Sequence, residues 1–262
     1  MGSVTFDFDD QTVVVTGGSC GIGREIALQF AEAGASVVNA DIREEPKEEA
    51  FSVPTHELIR DAGGQAAFVE IDVAEPEQIE TAIDRAREYG GVDVMVNNAG
   101  IYTTGPIRTL DPESFDRLHA VNTKGVFFGC QAAARDMVDR GVNGTIINIA
   151  STESELAERN QVHYTASKGA VRMITRGAAL ELADYGIRVT AVAPGHTDTT
   201  LGGSEMGSSQ RAHDDGELLK PVPVGRVGTP NDVAPSVLFL ASDAAGYITG
   251  ELLYIDGGLR VY

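Results

Sequence analysis

Short runs of β-branched and aliphatic residues alternate with longer segments of helical periodicity along the whole chain. The short runs predict seven strands, near residues 12–16, 36–40, 66–71, 92–96, 144–149, 187–192 and 251–255. The longer segments predict helices near residues 22–33, 55–62, 76–89, 112–139, 161–184 and 231–241. This alternation is typical of a doubly wound α/β fold, in which helices cover both faces of one parallel sheet. We therefore predict a seven-stranded parallel sheet.

One segment of the chain lacks either pattern. Residues 196–222 mix Gly, Ser and acidic residues and end on Pro-Val-Pro. A loop of this length inside a compact domain is uncommon and often covers a binding site. We predict a lid over 196–222, and a plain surface excursion is the alternative.

Length and composition indicate one domain. The 262 residues are 42% hydrophobic, which is enough for one substantial core. No apolar stretch approaches the roughly 18 to 20 residues of a membrane span, and Met1 to Asp10 are acidic, unlike a signal peptide. We expect a cytoplasmic protein.

The chain is strongly acidic, with a formal net charge of −19. Such a surface repels phosphate backbones and anionic headgroups, so neither nucleic acid nor a membrane is expected as a partner. Two explanations stay open. One is a halophilic origin, because salt screens the self-repulsion, and the other is a well-solvated mesophilic surface.

Metal chemistry is not indicated. Cys20 and Cys130 are the only cysteines and are far apart, and no two of the five His residues form a His-x-x-x-His pair. We expect no metal ion and no disulfide.

A glycine-rich segment follows the first predicted strand and opens the first predicted helix. It reads Thr-Gly-Gly-Ser-Cys-Gly-Ile-Gly over residues 16–23. Glycines allow the backbone to approach a pyrophosphate, and the free amides of the helix N-terminus bind it. Asp41 follows the second strand at the distance where an acidic residue meets the adenosine ribose, and Asp72 with Val73 follows the third. This predicts a Rossmann-type dinucleotide site, with NAD preferred over NADP because of Asp41.

The strongest chemical signal is Tyr164 followed four residues later by Lys168. On a helix this spacing places phenol and ammonium on one face, and a neighbouring cation favours the phenolate. The pair alone is a weak signal. It is supported by Asn97-Asn98-Ala99-Gly100 after the fourth strand and by Ser151, 13 residues before the tyrosine.

In these motifs the chain resembles the compact, single-domain branch of the short-chain dehydrogenase/reductase family, from about residue 11 to Gly258. The glycine segment matches that family's TGxxxGxG, and Tyr164 with Lys168 matches its YxxxK. The resemblance implies a nucleotide half over about 11–150 and a catalytic and substrate half over about 151–262. It also implies a homotetramer, paired through the helices predicted at 112–139 and 161–184, which carry small residues.

The resemblance implies that Ser151 binds the substrate oxygen, Tyr164 exchanges its proton, Lys168 lowers the pKa of Tyr164 and holds the nicotinamide ribose, and Asn122 orders a water. With the motifs it predicts cofactor contacts from Gly17, Ser19, Cys20, Gly21, Ile22, Gly23, Asp41, Ile42, Asp72, Val73, Asn98, Ala99, Gly100, Tyr164, Lys168, Pro194, Gly195, Thr197 and Thr199.

The loop after Ser151 is polar and carries Glu153 and Asn160, which could bind substrate hydroxyls. The predicted reaction is hydride transfer between nicotinamide and a small polar alcohol or its ketone, with a sugar or polyol as the preferred class. Residues 163–169 also resemble the bacterial glucose dehydrogenase members of the family. A 3-oxoacyl thioester reductase and an inactive nucleotide-sensing protein are the alternatives.

Overall fold

The computed structural model describes residues 4–47, 52–203, 205–218 and 220–261. Seven parallel strands form one sheet in the order β3-β2-β1-β4-β5-β6-β7. The strands are β1 (Thr12–Thr16), β2 (Ser36–Asp41), β3 (Ala66–Glu70), β4 (Val94–Asn97), β5 (Thr145–Ile149), β6 (Arg188–Pro194) and β7 (Leu252–Ile255). The helices are α1 (Gly21–Glu32), α2 (Thr55–Asp61), α3 (Pro76–Arg87), α4 (Pro112–His119), α5 (Val126–Arg140), α6 (Val162–Leu182), α7 (Ser208–Asp214) and α8 (Pro230–Ala241). The predicted doubly wound, Rossmann-type fold is confirmed.

The two faces of the sheet bury different sets of side chains. On β1, Val14 packs with residues of α3, α5 and α6, whereas Val13 and Val15 pack with residues of α1 and α8. The five central strands are almost entirely buried because helices cover both faces, which explains why they read as continuous apolar runs. Two apolar layers thus enclose one sheet.

Local sequence explains where two helices begin. The side chain of Asp111 accepts a hydrogen bond from the Ser114 amide at 2.7 Å, directly before Pro112 opens α4. Thr229 and Asp232 form a reciprocal capping box at the start of α8, again with a proline in the first turn. Both starts were predicted, because proline is favoured at the first helical position.

The helix predicted over 112–139 is wrong in one respect. It is divided by a π-helical turn over Ala120–Gly125, between α4 and α5. Asn122, inside this turn, binds the amide and the carbonyl of Ile101 through its side chain. These tertiary contacts favour the wider turn, and periodicity alone could not indicate it.

The segment predicted as a lid has structure of its own. It contains α7 and a short 3₁₀ turn over Leu201–Gly203. Residues 204 and 219 of this segment lie outside the described residues. Among the residues that the structure describes, no helix has the length and apolarity to cross a bilayer.

Candidate functional site

A cleft opens at the carboxyl ends of the central strands. The chain crosses from one edge of the sheet to the middle after β3, so β1 and β4 are neighbours whose connections leave in opposite directions. Ligands of doubly wound folds bind at such a switch point. The predicted residues that line the cleft are Gly17, Cys20, Gly21, Ile22, Asp41, Ile42, Asp72, Val73, Asn98, Ala99, Gly100, Ser151, Tyr164, Lys168, Pro194, Gly195, Thr197 and Thr199.

The glycine turn forms the floor of the cleft at the N-terminus of α1. Gly17 has φ 66°, and a Cβ there would lie 2.9 Å from Cα of Ala99. The first turn of α1 has no acidic side chain, and its N-cap, Cys20, makes no capping hydrogen bond through its side chain. The positive end of the helix dipole therefore faces the cleft without an acidic side chain in the first turn of the helix, which fits a pyrophosphate.

Asn98 joins the glycine turn to the loop after β4. Its side-chain amide donates to the carbonyls of Thr16 and Gly17 at 2.9 and 3.0 Å. The Thr16 hydroxyl in turn accepts from the amides of Asn98 and Ala99, both at 3.0 Å. The two motifs are thus one hydrogen-bonded unit.

Asp41 lies at the end of β2 and faces the same turn. Its carboxylate accepts hydrogen bonds from the main-chain amides of Ser19 at 3.1 Å and Arg43 at 3.3 Å. The residue is 8% exposed, and burial raises the pKa of its carboxyl although these hydrogen bonds lower it. Asp41 therefore supports the glycine turn as well as lining the cleft.

At the opposite end of the cleft the Tyr164 phenol meets Ser151. Burial raises the pKa of Tyr164, and Glu153 and Tyr102 add to this, whereas interaction with the Ser151 hydroxyl works against it. The pKa therefore lies above its usual value in this structure. The Lys168 ammonium lies 5.8 Å from the ring centre and donates to the Ile149 carbonyl at 2.9 Å, and its predicted effect on the pKa of Tyr164 stays a prediction. Burial lowers the pKa of Lys168 itself to about 8.

Five predicted residues do not line the cleft. They are Ser19, Gly23, Asn122, Glu153 and Asn160. Ser19 is fully buried and donates to the Arg43 carbonyl at 2.7 Å, because its hydroxyl points under the turn. Asn122 is fully buried in the π turn. Its predicted role, like those of the other residues, stays a prediction.

Sequence reasoning missed several residues that surround the reacting end. Tyr102 packs edge-to-face on Tyr164 with ring centres 5.0 Å apart. Arg117 lines the cleft and pairs with Asp72 at 3.0 Å, and Leu201 of the predicted lid also lines the cleft. The only sequence signal for Tyr102 was its place in the chain, two residues after Asn98-Ala99-Gly100. Nothing in the sequence pairs Arg117 with the cleft, because that contact depends on where α4 packs.

Metal binding has no geometric support in the described part of the chain, where no group of three or more His, Cys, Asp or Glu side chains is arranged around a common centre.

The fold, the glycine turn and the Ser151–Tyr164 pair together define a dinucleotide-binding α/β protein.

Comparison with known proteins gives the family. A family profile described as enoyl-(acyl carrier protein) reductase matches residues 17–260. The chain is 41% identical over 257 residues to 3beta-hydroxysteroid dehydrogenase 1 of Eggerthella lenta, covering 98% of this chain and 96% of that protein. It is 35% identical over 258 residues to glucose 1-dehydrogenase 2 of Bacillus subtilis, covering 98% and 97%. The chain belongs to the short-chain dehydrogenase/reductase family and is an oxidoreductase that acts on CH–OH donors.

Solved structures agree on the fold. A short-chain type dehydrogenase/reductase from Mycobacterium marinum superimposes with a TM-score of 0.88 at 38% identity, covering 98% of both chains. A putative 2-deoxy-d-gluconate 3-dehydrogenase from Agrobacterium tumefaciens with bound NADP superimposes with a TM-score of 0.86 at 33% identity, covering 99% of this chain and all of that one. That second structure leaves the choice between NAD and NADP open for this chain.

Proposed function

We propose that this protein is an NAD-dependent dehydrogenase or reductase of a small polar alcohol or its ketone, with a sugar or polyol as the substrate class. The observation that carries this proposal is the Ser151–Tyr164 pair at one end of a cleft whose other end has the glycine turn and Asp41. A hydroxyl and a phenol in contact form a place for a carbonyl or alcohol oxygen.

The residues of the cleft fit a nicotinamide dinucleotide. The turn from Gly17 would hold the pyrophosphate, Asp41 the adenosine ribose, and the segment from Pro194 to Thr199 the nicotinamide. When bound, the nicotinamide accepts or supplies the hydride. A side chain at Gly17 would collide with the backbone of Ala99, so only glycine leaves this space open.

The protein's own groups would handle the proton. Ser151 would hold the substrate oxygen by a hydrogen bond, and Tyr164 would donate a proton to a carbonyl or accept one from an alcohol. The raised pKa of Tyr164 keeps the phenol protonated near neutrality, which is the form required to reduce a carbonyl. A cation brought closer to the phenol would favour the phenolate required for oxidation. Lys168, one helical turn away, would be that cation and would hold the nicotinamide ribose.

Polar groups around the reacting end support a hydroxylated substrate. Glu153 and Glu158 both face Tyr102, since both carboxylates raise the pKa of its phenol. Carboxylates accept hydrogen bonds from hydroxyls and repel anionic substrates. Two relatives have names with polar substrates, the glucose dehydrogenase and an L-2,3-butanediol dehydrogenase of Corynebacterium glutamicum that is 38% identical over 261 residues, covering 95% of this chain and 98% of that one.

A 3β-hydroxysteroid is a second candidate substrate, because a relative with that name is 41% identical to this chain. The comparison of turnover decides between steroids and the sugars or polyols. A 3-oxoacyl thioester is the third substrate to include, because the matching family profile is described as a reductase of acyl carrier protein substrates.

The test is a substrate panel measured through nicotinamide absorbance, with NAD and NADP in parallel. It contains sugars, vicinal diols, a 3β-hydroxysteroid and a 3-oxoacyl thioester, and Tyr164→Phe serves as the inactive control. We expect the highest kcat/KM for a sugar or diol. Turnover of the steroid alone would replace the proposed substrate class, and no turnover of any compound would support a nucleotide-sensing protein without catalysis.

A further inference from the structure

The turn that follows Ser151 is attached to α6 by two side chains. Thr152–Ser154 form a 3₁₀ turn whose residues are buried. The Thr165 hydroxyl donates to the Glu153 carboxylate at 2.9 Å, and the Ser154 hydroxyl donates to the Lys168 carbonyl at 2.9 Å. The two attachment points on α6 both follow Tyr164: Thr165 comes directly after it and Lys168 one helical turn later.

The same turn also contacts Ser151 directly. The main-chain amide of Glu153 donates to the Ser151 hydroxyl oxygen at 3.2 Å. Glu153 therefore reaches both members of the reacting pair, Ser151 through its main chain and the neighbourhood of Tyr164 through its carboxylate. Its carboxylate does not line the cleft and is 9% exposed, so its first partner is the protein.

Several ionisable groups face this carboxylate. Tyr164 and Lys168 face it from α6, Glu158 from the loop before that helix, and Tyr102 from the loop after β4. Burial raises the pKa of Glu153 to about 7, and the charge of Glu158 adds to this, whereas the Thr165 hydrogen bond and Lys168 lower it. The group therefore changes its charge near neutral pH, next to the phenol.

We propose that Glu153 is a positioning residue that links the Ser151 turn to α6 and, through its charge, sets the proton affinity of Tyr164. This role rests on the proposed function of Tyr164 as the proton carrier. The ionised carboxylate disfavours a second negative charge on the phenol, so it holds the proton on Tyr164. The protonated carboxyl removes that effect while it keeps the bond to Thr165.

The charge of Glu153 should affect the pH dependence of alcohol oxidation. Oxidation requires a phenol that has lost its proton, so its rate rises with pH as Tyr164 deprotonates. Glu153→Gln keeps an oxygen acceptor for Thr165 and removes the charge. We expect the rising limb of kcat against pH to move to lower pH by about half a unit or more.

Two matched variants separate charge from attachment. Ser154→Gly removes the other attachment of the turn and no charge, so it should lower kcat without moving the limb. Thr165→Val keeps the Glu153 charge and removes its hydrogen-bond donor, so Glu153 should titrate at higher pH than in the unchanged protein. A role of Glu153 in packing alone would lower kcat in all three variants and leave every limb in place.

A second measurement does not need activity. In protein labelled with ¹³C at the glutamate carboxyls, NMR titration should show one carboxyl that titrates near neutrality, is lost in Glu153→Gln and moves to higher pH in Thr165→Val. If every glutamate titrates near its ordinary value, the inference is overturned even for an active enzyme. The inference is also overturned if the rising limb of kcat against pH stays in place in Glu153→Gln. Absence of turnover with every panel compound would instead overturn the proposed function. The NMR titration would still show whether a carboxyl titrates near neutrality, so the two failures stay distinguishable.

Discussion

The phenol of Tyr164 is the residue on which the proposed chemistry depends. It is 7% exposed, it contacts Ser151, and the ring of Tyr102 packs against its own ring edge-to-face. Because the ring is held on several sides, removing only the hydroxyl should leave the packing unchanged. A single-atom deletion therefore isolates the proton transfer.

Tyr164→Phe is expected to lower kcat by about 10² to 10⁴, which is typical of a lost general acid–base group. Cofactor affinity, measured by fluorescence titration with NADH, should change little because the phenol lies at the reacting end. Tyr102→Phe is the matched control and should keep most of the activity, since its ring remains. Retention of more than about a tenth of the activity in Tyr164→Phe would remove the tyrosine from its proposed role.

Asp41 leads to a prediction about the cofactor. Its carboxylate would lie near the extra phosphate of NADP, and two like charges about 5 Å apart at an effective dielectric of about 20 repel by roughly 3 kcal/mol, which solvent at the rim reduces to about 1 to 2 kcal/mol. We expect kcat/KM for NAD to exceed that for NADP by roughly ten- to thirtyfold. Arg43, beside Asp41 in the cleft lining, works against this preference.

The variants for this test follow from the hydrogen bonds of Asp41. Asp41→Asn removes the charge and keeps an acceptor for the amide of Ser19, whereas Asp41→Ala also removes the support of the pyrophosphate turn. Both variants should reduce the ratio of kcat/KM for NAD to kcat/KM for NADP, and only the alanine variant should weaken binding of both cofactors. Equal turnover of NAD and NADP by the unchanged protein at matched salt would contradict the assignment of Asp41.

At the scale of elements, the sheet and most helices could be predicted because their signal is local. The apolar run of β1 and the proline that opens α4 each specify their own structure. The π turn at Asn122 could not be predicted, since the contact that stabilises it comes from Ile101, which lies 21 residues earlier. Site residues could be named wherever a motif spans a few positions, and Tyr102 was missed because its role comes from packing on Tyr164.

Small residues on α5 and α6 were predicted to permit pairing between subunits. Ala132, Ala133 and Ala134 of α5 are buried within this chain's own core, whereas Ala166 and Gly177 of α6 are exposed. The two helices also expose large apolar side chains, which include Phe127, Met173 and Leu180 at 49%, 61% and 81% exposure. This surface of large apolar side chains is where we expect the proposed tetramer to pair.

Leu180→Glu should therefore weaken self-association, because a carboxylate buried between two subunits without a partner is costly. Light scattering coupled to size exclusion should show a smaller species than the tetramer expected of the unchanged protein. Val4→Glu, at a residue that is 77% exposed and outside this surface, is the control and should not change the mass. A Leu180→Glu variant with unchanged mass would show that pairing uses another surface.

The whole molecule has a net charge of −19, and the chain has only four lysines beside sixteen arginines. Many of the arginines lie in ion pairs, such as Arg87 and Arg140, which both bind the buried carboxylate of Asp136 at 2.9 Å. Exposed pairs, such as Arg85 with Glu88, each contribute little. The unbalanced carboxylates should therefore dominate the response to salt.

If the acidic surface is halophilic, the melting temperature should rise steadily as KCl increases from about 0.1 to 2 M, because screening relieves repulsion. Differential scanning fluorimetry measures this directly. Sulfate is unsuitable as the anion because it strengthens apolar burial in any protein. A melting temperature that stays flat over this range would favour the mesophilic explanation.

The π turn over Ala120–Gly125 also restricts how the chain can change in length. Such a turn contains one residue more than the α-helical turn it replaces, and each residue of an α-helix advances the chain by about 100°. Deleting one residue here would therefore convert the turn into α-helix and keep the buried Ala133 and Met137 against the sheet, whereas inserting a further residue would rotate α5 by that angle. Exposed loops tolerate insertions and deletions alike, but this segment should tolerate only the loss of its one extra residue. In related sequences we therefore expect no insertions between α4 and α5, and no gap longer than one residue, even where individual residues differ.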